Sequence, residues 1–218
     1  MCVIDIREVS KSFRDAVILK DVNIQIKQGE IVGIVGRNGS GKTVLLKLIC
    51  GLLLPTTGTV QVFGKQLGKD RDFPVDTGLL IETPDFLPYQ TAYQSLRSLA
   101  LIRRQVGKEE IKAVLRQVGL DPESRKPVGK YSLGMRQRLG IAQALLEQPK
   151  LLLLDEPMNG LDAAGAEEMR RLFRSLKENG TTIVLATHIR EDIDGLCERV
   201  YRIDNAVLME ERIDTSSS

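Results

Sequence analysis

The stretch from Ile31 to Leu53 restricts the fold more than any other part of the chain. IVGIV at 31–35 is short and apolar throughout, the pattern of a strand buried on both faces of a sheet. GRNGSGKT at 36–43 follows it, and VLLKLICGLL then reads as a buried helix ending before Pro55. Gly36-Arg37-Asn38-Gly39-Ser40-Gly41-Lys42-Thr43 matches G-x-x-x-x-G-K-[ST] in full. Glycines let successive backbone N–H groups turn inward around phosphates, and the helix start adds the positive end of its dipole. In that geometry Lys42 reaches the β- and γ-phosphates of a nucleotide, and Thr43 sets a hydroxyl on Mg²⁺. The plain alternative is a glycine-rich turn, but the strand before and the helix after are the context that phosphate binding requires.

LLLLD at 151–155 supplies a second half. Four apolar residues hold that strand in the core, so Asp155 emerges at its carboxyl end, where α/β sheets bind ligands. Asp155 is expected to hold Mg²⁺ through a water. Glu156, next in the chain, is free to orient and deprotonate an attacking water. The alternative is a surface Asp-Glu pair, but a phosphate loop demands a magnesium partner.

The remaining pattern places these motifs. VIDIREV (3–9) and VNIQI (22–26) alternate as half-buried strands do, and GTVQVFG (58–64) and GLLIE (78–82) read as further strands. From Thr83 to about Pro149 the texture changes to three helical patterns, TAYQSLRSLALIRRQ, KEEIKAVLRQVG and SLGMRQRLGIAQALLEQ. After LLLLD come a helix from about Ala163 to Asn179, the strand TTIVLAT, a short helix near 190–196, the strand RVYRI and a DTSSS tail. Strand–helix alternation around an all-helical block indicates a mostly parallel α/β core with a helical insertion. At 218 residues the chain suits one domain, with 1–82 and 150–218 as catalytic core and 83–149 as the insertion.

Composition excludes several classes. Net charge is +2, from 31 basic and 29 acidic residues spread without a basic block, which argues against nucleic acid as a partner. Cys2, Cys50 and Cys197 are odd in number and far apart, without CxxC spacing, so disulfides and a zinc site are not expected and a reducing cytosol is. The most apolar stretch, VLLKLICGLLL at 44–54, is about half the length that spans a bilayer. The expectation is a soluble chain, and any work at a membrane needs a second polypeptide to supply the span.

Tyr131-Ser132-Leu133-Gly134-Met135, running into RQRLGIAQALL just upstream of the Asp155 strand, resembles the signature segment of ATP-binding cassette (ABC) ATPases. Asn159-Gly160-Leu161-Asp162 resembles their D-loop, and His188 after TTIVLAT their switch histidine. Phe13 sits where the family puts an aromatic ring under adenine. The resemblance covers essentially the whole chain in order. It implies a P-loop NTPase (RecA-like) α/β core with a mostly parallel sheet, an N-terminal antiparallel β subdomain and an inserted α-helical subdomain. It also implies that two chains sandwich two Mg-ATP head to tail. Phe13 and the loop from Gly36 through Thr43 to Val44 would then hold ATP, with Glu156, His188 and Lys42 catalytic. Ser132 opens a helix, where a hydroxyl and backbone N–H groups make an anion site. In the family that segment closes over the ATP of the second subunit, so Ser132 and Gly134 would act in trans and Asp162 would couple the two sites. A lone histidine is more often structural and an aromatic near a strand more often core; for His188 and Phe13 the position in the family pattern argues for the functional role.

Four positions depart from the family. Glu82 stands where most members carry glutamine, in reach of Mg²⁺ and the attacking water. At about 4 Å an extra charge is worth about 1 kcal/mol in bulk water and about 4 at a dielectric near 20, and attraction to the metal opposes repulsion from phosphate. Changing it to glutamine is expected to alter the magnesium dependence of hydrolysis. Val44 replaces a second hydroxyl residue that contacts the α-phosphate. A hydrogen bond to a charged group contributes about 1.5–3 kcal/mol, so modest ATP affinity is expected. Leu133 and Met135 replace glycine and glutamine of the signature. The YSLGM-RQRLGIA form with the loop IETPDFLPY is similar to the subgroup serving bacterial peptide-antibiotic (bacteriocin, lantibiotic or bacitracin-like) export and immunity.

The resemblance therefore implies an ATPase subunit of an exporter, cytoplasmic and peripheral on the inner membrane face through a separately encoded permease, paired with a like or unlike second nucleotide-binding subunit. Phe86, Leu87, Tyr89 and Tyr93 offer apolar surface to that permease, or else pack within the insertion. The rivals are a soluble ABC-type machine on ribosomes or DNA, and a regulatory module that binds nucleotide without turnover. Glu156 and His188 argue against the second. The first usually needs long coiled coils or two cassettes in one chain.

Overall fold

The computed structural model describes residues 1–14, 16–82 and 85–211. In chain order these hold β1 (Cys2–Phe13), β2 (Ala16–Lys27), β3 (Ile31–Val35), α1 (Lys42–Ile49), β4 (Thr57–Val62), β5 (Lys65–Gln66) and β6 (Thr77–Leu80). Then follow α2 (Ala92–Arg103), α3 (Lys108–Gln117), a single 3₁₀ turn at Val128–Lys130, α4 (Leu133–Leu145), β7 (Leu151–Asp155), α5 (Ala163–Glu178), β8 (Thr182–Ala186), α6 (Arg190–Leu196), β9 (Arg199–Asp204) and β10 (Val207–Glu211). One sheet is antiparallel with order β2-β1-β4-β5; the other has order β10-β9-β3-β8-β7-β6. In the second sheet every pair from β9 to β6 is parallel, and only β10 runs antiparallel.

Each all-apolar run feeds two cores. Ile31 and Val35 of β3, Leu152 and Leu154 of β7, and Ile183 and Leu185 of β8 face a core shared with Leu96, Leu139 and Phe173 of the helices. Their alternate neighbours Val32, Ile34, Leu151, Leu153, Val184 and Ala186 face the second core, with α1 and the antiparallel sheet. A strand covered on both faces has no position for a polar side chain. This is why IVGIV and LLLLD contain none before their carboxyl ends.

Helix starts follow local chemistry. Thr91 accepts a hydrogen bond from the Gln94 N–H at 3.2 Å, while the Thr91 N–H donates to Gln94 Oε1 at 2.9 Å, closing a capping box on α2. Ser132 caps α4 by accepting from the Met135 N–H, and Asp162 caps α5 by accepting from the Gly165 N–H.

Several boundaries differ from expectation. α1 ends at Ile49, short of Leu53, because Gly51 takes a left-handed φ of 80° and turns the chain; Leu52 and Leu54 are consequently exposed. β6 stops at Leu80, and Glu82 leaves it at φ 63°. β1 and β2 are longer than their alternating segments because Lys11, Ser12 and Phe13 continue to pair with Leu19, Val17 and Ala16. β5 and β10 had no sequence signal, being two residues long and a largely exposed edge, respectively. The start of the expected insertion at Thr83 and the DTSSS tail lie outside the described residues. Among the described residues no helix is long and apolar enough to cross a membrane.

The β6–α4 contact is close enough to need glycine. A Cβ at Gly78 would sit 2.0 Å from the Ala144 carbonyl oxygen and 2.8 Å from Leu152 Cδ2. Gly78→Ala is expected to destabilise the chain by about 1–3 kcal/mol, lowering the urea midpoint at unchanged slope. An unchanged midpoint would show that α4 can move away freely.

Candidate active site

The turn between β3 and α1 is built around a residue that must be glycine. Gly41 precedes α1 at φ 109°, and a Cβ there would meet Ile18 and Leu19 at 3.2 Å. Lys42 folds back over this turn, its Nζ donating to the carbonyl oxygens of Gly36 at 2.9 Å and Arg37 at 3.5 Å. Its ammonium is nearly buried, so its charge acts at low dielectric.

β7 brings the acids alongside. Thr43 Oγ1 donates to Asp155 Oδ2 at 2.5 Å, a bond between residues 112 positions apart. Asp155 is buried, and that burial raises its carboxyl above the usual range against the opposing Thr43 bond. Glu156 follows in the left-handed region at φ 47°, a conformation that costs a non-glycine residue about 1–3 kcal/mol. Its N–H donates to the Ala186 carbonyl at 2.8 Å, and its carbonyl accepts from Gln137 Nε2 at 3.1 Å. The twist delivers the carboxylate between two partners: Oε1 lies 2.9 Å from His188 Nδ1 and 3.7 Å from Lys42 Nζ. Glu156 Oε2 and Ser40 Oγ are buried without a partner among the described residues.

A cleft of about 700 Å³ opens over these groups. It is lined by the loop from Asn38 to Val44, by Glu82, Asp155 and Glu156, and by Phe13 at its mouth. Phe13 is 44% exposed, and the Lys11 ammonium lies 4.8 Å from its ring centre, so one ring face is free for a planar ligand. Gly36, Arg37 and His188 border a neighbouring cavity of about 380 Å³ instead. Ser132, Gly134 and Asp162 do not line the cleft, although Leu133 and Asn159 from the same two segments do. A Cβ on Gly134 would come 2.7 Å from the Gly160 carbonyl oxygen, and one on Gly160 would come 2.5 Å from Leu133, so the two segments are packed together. Sequence reasoning missed Gln137 and Ile18, which also line the cleft. Gln137 is one helical turn after Leu133, a spacing that could have placed it on the same face.

The donor set suits a hard cation. Thr43, Asp155 and Glu82 offer only oxygen, as magnesium prefers, and a buried acid with a raised pKa gains from a nearby cation. Among the described residues no group of three or more His, Cys, Asp or Glu could hold a metal alone. A metal here would therefore depend on phosphate oxygens for the rest of its shell.

Comparison with known proteins agrees with this geometry. Residues 19–159 match the sequence profile of the family described as ABC transporter. The bacitracin transport ATP-binding protein BcrA of Bacillus licheniformis is 43% identical over 211 residues, covering 96% of this chain and 69% of that protein. The lantibiotic transport ATP-binding protein SrtF of Streptococcus pyogenes is 34% identical over 217 residues, covering 99% and 93%. Among solved structures, the dimeric post-hydrolysis state of the ATP-binding cassette MJ0796 bound to ADP and Pi superposes with a TM-score of 0.86 at 26% identity, covering 96% of this chain and 98% of that one. A full phosphate loop, an acid pair at the end of β7 and these relatives leave one assignment: the chain belongs to the ABC transporter family, as an ATP-binding subunit that hydrolyses ATP.

Proposed function

We propose that this chain is the motor of an exporter for a peptide antibiotic or for immunity to one, with the permease on a separate polypeptide. Two nucleotide-binding subunits close head to tail over two Mg-ATP. The observation that carries this reading is a division of labour. Lys42, Thr43, Asp155, Glu156 and His188 meet around one phosphate loop, whereas Ser132 is exposed and, with Gly134 and Asp162, is not part of the cleft wall, although Leu133 beside it is. A site with its hydrolytic groups gathered and its Ser132 hydroxyl outside the cleft wall is suited to completion by a second subunit.

In this reading the loop from Gly36 to Thr43 and the Lys42 ammonium bind the phosphates, and Phe13 stacks on adenine. Mg²⁺, held by Thr43, Asp155 and Glu82, would neutralise phosphate charge when bound. Glu156 aligns the attacking water and takes its proton, with His188 fixing the carboxylate and contacting the γ-phosphate. Ser132 and Gly134 serve the ATP of the opposite subunit, and Asp162 links the two sites. The subunit works at the cytoplasmic face of the membrane. Of the apolar residues expected to meet the permease, Phe86 and Tyr93 pack against the helical core, while Leu87 and Tyr89 are 49% and 73% exposed. The exposed two are the better docking residues. BcrA and SrtF are named for bacitracin and lantibiotic transport, which supports the cargo class.

Replacing Glu156 by Gln keeps the shape but removes the base. The expected outcome is loss of steady-state hydrolysis together with a stable dimer at saturating ATP, read by sedimentation. A variant that stays monomeric there contradicts the sandwich. Val44 lines the cleft and is half-buried against the apolar core. Val44→Thr is expected to tighten ATP binding by about ten- to hundredfold through a new phosphate hydrogen bond, while burial of its hydroxyl lowers the melting temperature. Unchanged affinity in a titration means that the backbone alone holds the α-phosphate.

A further inference from the structure

The acid at position 82 is not alone. Lys47 Nζ lies 2.5 Å from Glu82 Oε1. Lys47 sits one turn after Thr43 on α1, so the two side chains leave the same face of the helix. Glu82 lines the phosphate cleft; Lys47 does not, and so draws the carboxylate from outside the site. The Glu82 side chain is 64% exposed and that of Lys47 is 28% exposed, which makes the pair weak and easily exchanged. The backbone of Glu82 turns out of β6 at φ 63°, bringing its side chain toward α1 rather than along the strand.

We propose that Lys47 is a positioning residue for Glu82: it cancels the charge of this acid while the site lacks metal, and it competes with Mg²⁺ for the carboxylate once nucleotide is bound. The proposal rests on the Mg-ATP reading above and extends it to a residue outside the cleft. Magnitudes support an exchange rather than a lock. An exposed pair is worth up to about fivefold in a binding constant, whereas a divalent ion beside phosphate exerts twice the charge at similar range. Lys47 therefore sets how much metal is needed without preventing its entry. The arrangement also gives a chain with glutamate here a way to bind nucleotide before metal, because the added negative charge is compensated.

The test is a double-mutant cycle on the full chain with Lys47→Met, Glu82→Gln and both together. One readout is Mn²⁺ affinity by electron paramagnetic resonance with a non-hydrolysable ATP analogue. The other is affinity for the same analogue in excess chelator. Lys47→Met is expected to tighten Mn²⁺ by about two- to fivefold and to weaken metal-free nucleotide binding by a similar factor. In the Glu82→Gln background the same substitution should change neither, and Lys47→Arg should behave as the parent chain. Equal effects of Lys47→Met in both backgrounds would show that Lys47 acts only as a general positive charge, and no effect in either would remove it from the site; both overturn the proposal. A parent chain that binds no analogue at all would instead overturn the ATP-site reading.

Discussion

The parallel register of β3, β8 and β7 is the constraint on which the site depends. Ile31 to Ile34 pair with Ile183 to Ala186, and Leu151 to Asp155 pair with Thr182 to Ala186. The carboxyl ends of three strands therefore emerge together, and each carries one part of the machinery: the phosphate loop after Val35, the acids at 155–156, and His188. The Thr43–Asp155 bond and the Glu156–His188 contact are the visible consequences. A one-residue slip would exchange the two faces of a strand. On β7 it would also displace Asp155 along the strand axis by about 3.3 Å, enough to break the bond to Thr43. The apolar residues on both faces thus fix catalytic distances as well as stability.

The same economy governs the parts outside the cleft. Ser132 and Asp162 each spend a polar group on capping a helix, and the packing of Gly134 against Gly160 joins those helix starts. The Ser132–Gly134 and Gly160–Asp162 segments are therefore packed directly on one another. Two of the chain's left-handed non-glycine backbones, Glu156 and Glu82, stand at the cleft. Such conformations persist where surrounding contacts over-determine them, as the Ala186 and Gln137 bonds do for Glu156.

Most of this arrangement was legible in the residues because the relevant signals are dense. IVGIV, LLLLD and TTIVLAT can only be covered strands, and the glycines, Lys42 and Thr43 between strand and helix leave little choice of chemistry. What was missed depends on tertiary context. The end of α1 at Ile49 is set by the turn at Gly51, while the apolar Leu52–Leu54 run suggested continuation. β10 has an exposed pattern that only its pairing with β9 turns into a strand. The Lys47–Glu82 pair joins residues 35 positions apart, and no local periodicity reports such a contact. It also answers in part a question open at the level of sequence, since the charge added by Glu82 has a partner.

The central claim is that one chain holds only half of each working site. Its most direct test is specific ATPase activity of purified chain as a function of protein concentration, with oligomeric state followed by sedimentation in parallel. The account predicts that activity per chain is very low where the chain is monomeric and rises with the dimer fraction. Activity per chain that is constant and substantial throughout the monomeric range would contradict it.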